Sequence, residues 1–383
     1  MGPITKLLAE LVAIPSVNPM GAAVGPEHFE AGMSAYLEPY LRALGVRVER
    51  VPILPGRDNI LAYYDAPDAR RTVLLSAHQD TVSVAGMTIG PFTPTVEGGR
   101  LHGRGSCDVK GGMASMLSAF ARLVRERPAG SASVVMACTV DEEYTHKGSS
   151  ALASIPGLAD LAIVAEPTML QVVDTHKGAV RWKVRTEGTA CHSSTPDRGD
   201  NAIYRMAKVV TALEAFSDHL ASRSSDPVLG PPSLSVGRIE GGQAVNIVPD
   251  WCEVEVDRRL IPGEDPALVA DEVEAFLRGR GLGERVRHLP PWVNMPSLAR
   301  RDAADPWLRL VVEAIGKVRG RLPEVVGVPF GTDAGPLGAS GMPSFVLGPG
   351  DIAQAHTKDE WIEVDQLEPA SEIYYEIARA AGD

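Results

Sequence analysis

The chain is 383 residues long, 44% apolar and 22% charged, the make-up of a globular protein too long for one ordinary core. Its formal charge of −12, from 37 cations and 49 acids, excludes the basic footprint of a nucleic-acid binder. Four cysteines without a Cys-x-x-Cys pair exclude a small disulfide scaffold, and no apolar run nears the ~20 residues needed to cross a bilayer.

The elements follow in chain order. The segment around Lys6 and Glu10 reads as an amphipathic helix rather than a leader, so a cytoplasmic protein with reduced thiols is expected. Phe29, Met33, Tyr36, Leu37, Tyr40, Leu41 and Leu44 recur at helical spacing, and Gly45 supplies a stop. Thr72 to Ala77 reads as a buried strand ending at His78. Gly111 to Val124 reads as a helix, Ser133 to Val140 as a second buried strand, and Leu161 to Ala165 as a third, ending at Glu166. This alternation predicts an α/β domain with a mostly parallel sheet.

The middle has a different rhythm. Val180, Trp182 and Val184 alternate with Arg181, Lys183 and Arg185, the pattern of a half-exposed strand. A helix over 201–216, strands over 233–239 and 252–260, a helix over 266–278 and a strand over 285–289 complete a β-α-β-β-α-β order, that of a ferredoxin-like unit. After Pro290 the chain returns to α/β character and ends in a helix over 367–381. The expected division is therefore a catalytic domain in two parts, 1–176 and 291–383, with an inserted domain over 177–290.

Polar residues stand where the apolar strands end. His78-x-Asp80 follows the first, Asp141-Glu142-Glu143 the second and Glu166-Pro167-Thr168 the third, while Asp108 lies in the glycine-rich run 103–112. Ligands bind outside the carboxyl ends of strands in open α/β sheets, so these groups can converge on one site. Carboxylates gathered at low dielectric repel, and a divalent cation, or two, resolves the repulsion. Imidazole with carboxylates suits zinc, cobalt or manganese better than calcium. Adjacent glutamates can divide the work, one binding metal and one handling the proton of a water.

Segments 76–82, 103–112, 141–143, 166–168 and Ala355-His356-Thr357-Lys358-Asp359-Glu360 together resemble the co-catalytic zinc family of acetylornithine deacetylase, succinyl-diaminopimelate desuccinylase, aminoacylase and carboxypeptidase G. The resemblance implies a zinc-peptidase-like catalytic domain carrying an inserted lid and dimerisation domain. It implies two divalent ions with Asp108 bridging them, His78 and Glu166 completing one site, and Glu143 and His356 the other. A cis peptide is implied after Asp108. Asp80 would orient the His78 ring, and Glu142 would be the general base that deprotonates the bridging water and returns the proton to the leaving amine.

Cys191-His192-Ser193-Ser194 resembles the family's lid motif, with His192 helping to stabilise the oxyanion from a partner subunit. Asn246-x-x-Pro249 and Asp257-x-Arg259 resemble its substrate-binding motifs, Arg259 gripping a carboxylate by its fork; Arg258 would face the other way along an extended strand. Gly331-Thr332-Asp333 resembles a substrate-contacting loop. No role attaches to His102, His146, His176 or Cys107. The expected activity is amide hydrolysis of an N-acyl amino acid or small peptide bearing a carboxylate, by a homodimer that binds neither nucleic acid nor membrane. A desuccinylase or dipeptidase, a two-metal phosphatase and a non-catalytic binding homologue remain alternatives.

Overall fold

Leucines at helical spacing bury one face of α1 (Pro3–Val12), with Lys6 and Glu10 outside. α2 (Ala31–Arg42) starts two residues after Phe29, which has φ 69° and bonds through its N–H to Val17. Gly45, also left-handed at φ 78°, stops it as expected. The computed structural model describes residues 1–22 and 24–382.

A hairpin, β1 (Arg47–Leu54) and β2 (Arg57–Tyr64), leads to β3 (Thr72–His78). A small pair, β4 (Thr95–Glu97) and β5 (Arg100–His102), precedes α3 (Gly111–Glu126), β6 (Ser133–Thr139), α4 (Lys147–Ala153), β7 (Leu161–Val164) and β8 (Val172–His176). Next come β9 (Gly178–Glu187), α5 (Ala202–Arg223), β10 (Ser233–Gly241), β11 (Trp251–Leu260), α6 (Val269–Gly279), β12 (Val286–His288) and β13 (Val293–Met295). The last part holds α7 (Pro306–Arg319), β14 (Val325–Val328), α8 (Ala334–Ala339), β15 (Ser344–Val346), β16 (Trp361–Glu363) and α9 (Leu367–Ala380).

The chain splits into two compact units: Met1–Thr175 with Leu298–Gly327 and Thr332–Asp383, and His176–Ser297 with Val328–Gly331. The first contains an eight-stranded sheet ordered β1-β2-β6-β3-β7-β15-β8-β14. It is mixed, which corrects the expectation of a mostly parallel sheet. β3 runs parallel to β6 and β7, and β15 parallel to β7, but the β1–β2, β2–β6 and β8–β15 pairs are antiparallel. The β1–β2 pair follows from the tight turn after Leu54, which folds β2 back on β1 without a crossover helix. Leu75, Met113, Phe120, Ile163, Phe345 and Tyr374 are fully buried in one apolar core.

In the second unit an antiparallel path β10-β11-β9-β12 carries α5 and α6 on one face. Trp182, Val184, Val254 and Val256 point into that face and meet Met206, Phe216, Val273 and Leu277. Burying each such side chain contributes roughly 1.5–3 kcal/mol. The alternate residues Arg181, Lys183, Glu253, Glu255, Asp257 and Arg259 form a charged opposite face, the period-2 pattern read from sequence.

Candidate metal centre

β6, β3 and β7 lie side by side and parallel, so the loops leaving their carboxyl ends are neighbours. His78 ends β3, Asp141-Glu142-Glu143 leaves β6, and Glu166 leaves β7. Asp108 enters through the turn before α3. Gly105 takes φ 80° there, and a Cβ on it would stand 2.7 Å from Thr81 Cγ2. The Asp108–Val109 peptide is cis.

Two imidazoles flank Asp108, one on each oxygen. His78 Nε2 lies 3.1 Å from Oδ1, and His356 Nε2 lies 3.3 Å from Oδ2. His356 is also 3.2 Å from Glu143 Oε2. Donor atoms of His78, Asp108 and Glu143 lie within 4.8 Å of one another; so do those of His78, Glu142 and Glu166, and those of Glu142, His146 and Asp333.

The electrostatics fit cations. Burial raises Glu142, Glu143 and Glu166 above the usual carboxylate range, and their neighbours' negative charge adds to it. Burial opposes a charge on His78, but the Asp108 hydrogen bond and the surrounding carboxylates outweigh it and push that imidazole well up. Hydrogen bonds to Asp108 and Glu143 raise His356 to about 11. Among the described residues Glu143 Oε1 is buried with no hydrogen-bond partner, an acceptor that an ion would satisfy. Protons thus stand where positive charge is needed, and divalent ions would replace them.

The supports of this cluster reach far back in sequence. His78 Nδ1 donates to the carbonyl oxygen of Asp80 at 2.9 Å, a shorter contact than the 3.7 Å to the Asp80 carboxylate. That carboxylate instead accepts the main-chain N–H groups of Glu142 and Glu143 and the amide of Asn18. Arg57 grips Glu30 with Nε and Nη2, and its Nη1 donates to Asp141. Glu360 accepts the N–H groups of Gly105, Cys107 and Asp108 while paired with Arg104. Glu30, Arg57, His146 and Glu360 carried no role in the sequence reading, and Asp333 was expected only as part of a substrate-contacting loop. Glu360 had a signal, an acid inside a quoted motif; Glu30 and Arg57 had none, because only folding brings them under the loop.

The residues expected to touch substrate divide between the two units. His192, Asn246, Arg259 and Gly331 belong to the second unit. His192 is exposed and bonds Ser194, and the N–H of Ser193 donates to the carbonyl oxygen of Asn246, so the two motifs pair through backbone. Arg259 is 30% exposed and paired with Asp257, whereas Arg258 is fully buried against Glu264. Thr332 accepts the N–H of Ala334 in the first unit.

Two imidazoles and four carboxylates, built around one shared aspartate, make this a metal-dependent amidohydrolase with a dinuclear centre. The chain belongs to peptidase family M20/M25/M40, whose sequence profile it matches over residues 74–380. It is 31% identical over 382 residues to the acetylornithine deacetylase of Proteus mirabilis (strain HI4320), covering 96% of this chain and 94% of that one. Its fold resembles an M20 metallo-carboxypeptidase from Sulfolobus solfataricus (TM-score 0.81, 20% identity, all of both chains). It also resembles the aminopeptidase PepT of Bacillus cereus (TM-score 0.74, 23% identity, 99% and 98% covered).

Proposed function

We propose that the enzyme removes the acyl group from an N-acyl amino acid, as an acetylornithine deacetylase does. The observation that carries this reading is Asp108 standing between two imidazoles, one on each oxygen. His78 and Glu166 would share one ion with Asp108, Glu143 and His356 the other, and zinc suits this donor set. Two bound divalent ions supply positive charge that polarises the scissile carbonyl and favours ionisation of the attacking water.

Glu142 takes a proton from the attacking water and delivers it to the leaving nitrogen. Its carboxylate is buried, and burial raises it well above the usual range. Asp80 fixes the Glu142–Glu143 loop. The second unit is read as a ferredoxin-like lid and dimerisation domain, with catalytic parts over 1–176 and 291–383. Arg259 would hold the substrate carboxylate, Asn246, Gly331 and Thr332 would line its site, and His192 would support the oxyanion across a homodimer. Four free thiols suit a reducing cytoplasm. No helix among the described residues is long and apolar enough to cross a membrane.

Metal analysis with a screen of N-acetyl amino acids, N-succinyl amino acids and dipeptides tests the reading. Turnover of N-acetyl substrates that chelation abolishes supports it. Turnover confined to dipeptides would make the enzyme a peptidase, and no turnover with two ions bound would overturn hydrolysis of this substrate class.

A further inference from the structure

Glu142 belongs to two groups at once. Oε2 lies 4.0 Å from His78 Nε2, on the side of the metal ligands. Oε1 lies 3.7 Å from His146 Nδ1, on the opposite side. The same nitrogen is 3.2 Å from Asp333 Oδ1. Asp333 is held in turn, because Ser149 Oγ donates to Oδ1 at 2.6 Å and Thr139 Oγ1 to Oδ2 at 2.8 Å.

An ionised carboxylate only accepts, so the His146–Asp333 contact places the imidazole proton on Nδ1. Glu142 Oε1, 3.7 Å from the same nitrogen, lies beyond hydrogen-bond length but within reach of the positive end of that N–H. His146 itself is fixed: it sits at φ 55°, its N–H donates to the Asp141 carbonyl oxygen, and its ring is buried.

We propose that His146, backed by Asp333, is the positioning residue of the general base: it holds Glu142 Oε1 so that Oε2 alone turns toward the metal centre. The proposal rests on the reading of Glu142 as base. A glutamate beside two ion positions has a competing state, in which both oxygens bind an ion and none is left to move a proton. The Nδ1–H on the far side pulls against that state. Asp333, with both oxygens engaged by hydroxyls, is spent as a support and is a poor donor to an ion of its own.

The test compares His146→Leu, His146→Asn and Asp333→Asn with Glu142→Gln, measuring kcat, KM, bound metal and thermal stability. Asn keeps an N–H donor near the place of Nδ1, whereas Leu keeps only bulk. H146L should retain two ions and an unchanged KM while kcat falls on the order of 10- to 100-fold, part of the 10²–10⁴ that a positioned base supplies. H146N should recover most of that loss, and D333N should lower kcat with metal retained. Wild-type kcat in H146L, equal losses in H146L and H146N, or loss of one metal equivalent from both would overturn the proposal. If H146L does not fold, H146N and D333N decide it by the same kcat and metal readings. An active E142Q enzyme would sink the base reading itself, whereas inactive E142Q beside fully active H146L sinks only the role of His146.

Discussion

Asp80 Oδ2 accepts the main-chain N–H of Glu143 at 3.2 Å across 63 positions of sequence. The other oxygen of Asp80 accepts the N–H of Glu142, also at 3.2 Å. One buried carboxylate therefore sets the path of two consecutive glutamates, and their side chains reach different partners: Glu143 meets His356, while Glu142 lies between His78 and His146.

That division of labour separates two conservative variants. Glu142→Gln keeps shape and removes the proposed base, so bound metal should stay at the wild-type level while kcat falls at least about 100-fold. Glu143→Gln removes the charge of a proposed ligand and should weaken metal binding. Metal content by mass spectrometry beside steady-state kinetics distinguishes them; near-normal turnover of E142Q would remove Glu142 from the chemistry.

Metal uptake should release protons. His78 and His356 are both raised by carboxylate partners, and each must lose its proton to bind an ion. Affinity should therefore increase as pH rises, with proton release measurable in weak buffer during titration of the metal-free enzyme. His356→Ala should lower bound metal by about one equivalent and reduce the release. Unchanged stoichiometry would place the second ion elsewhere.

Glu30 carries a pH signature in stability. Burial pushes its carboxyl up to about 6 from 4.5, against the pull of Arg57. Between these values the folded protein binds more protons than the unfolded chain, so this group's contribution to stability falls as pH rises through the window. At about 1.4 kcal/mol per unit, the loss is about 2 kcal/mol. Urea unfolding of wild type and Glu30→Gln across pH 4 to 7 should show their difference declining by that amount and levelling off above pH 6.5. A constant difference would mean that Glu30 titrates alike in the folded and unfolded chain, and a difference that rises with pH would mean that it stays ionised in the folded protein.

Arg259 offers a fork that Lys cannot copy. R259K should lower kcat/KM strongly on substrates with a free carboxylate and much less on the corresponding amides. Equal losses on both would assign Arg259, with its Asp257 partner, to the fold of the sheet.

If His192 serves a neighbour's site, mixing inactive His192→Ala with inactive Glu142→Gln protein should restore activity, since one site of the mixed dimer then has both groups intact. No recovery, despite proven subunit exchange, would mean that His192 acts within its own chain.

The sequence by itself determined what depends on local periodicity and residue type. Alternation in Val180 to Arg185 placed a two-faced strand, and apolar runs ending at His78 and Glu166 placed metal-binding side chains at strand ends, because a buried strand must shed its polar residues at its mouth. Motif order along the chain pointed to the two-metal family. The hairpin of β1 and β2 was not legible, since Arg47, Glu49 and Arg50 interrupt any apolar run on an edge strand, and with it went the mixed character of the sheet. Only the tertiary structure decided that Arg57, on that unpredicted hairpin, would lie beneath Asp141, and that Asp333 would stand behind His146 across 187 positions. Contacts of that range leave no local signal: nothing in the spacing of a buried arginine or aspartate says which distant carboxylate or imidazole folding will bring within hydrogen-bond reach.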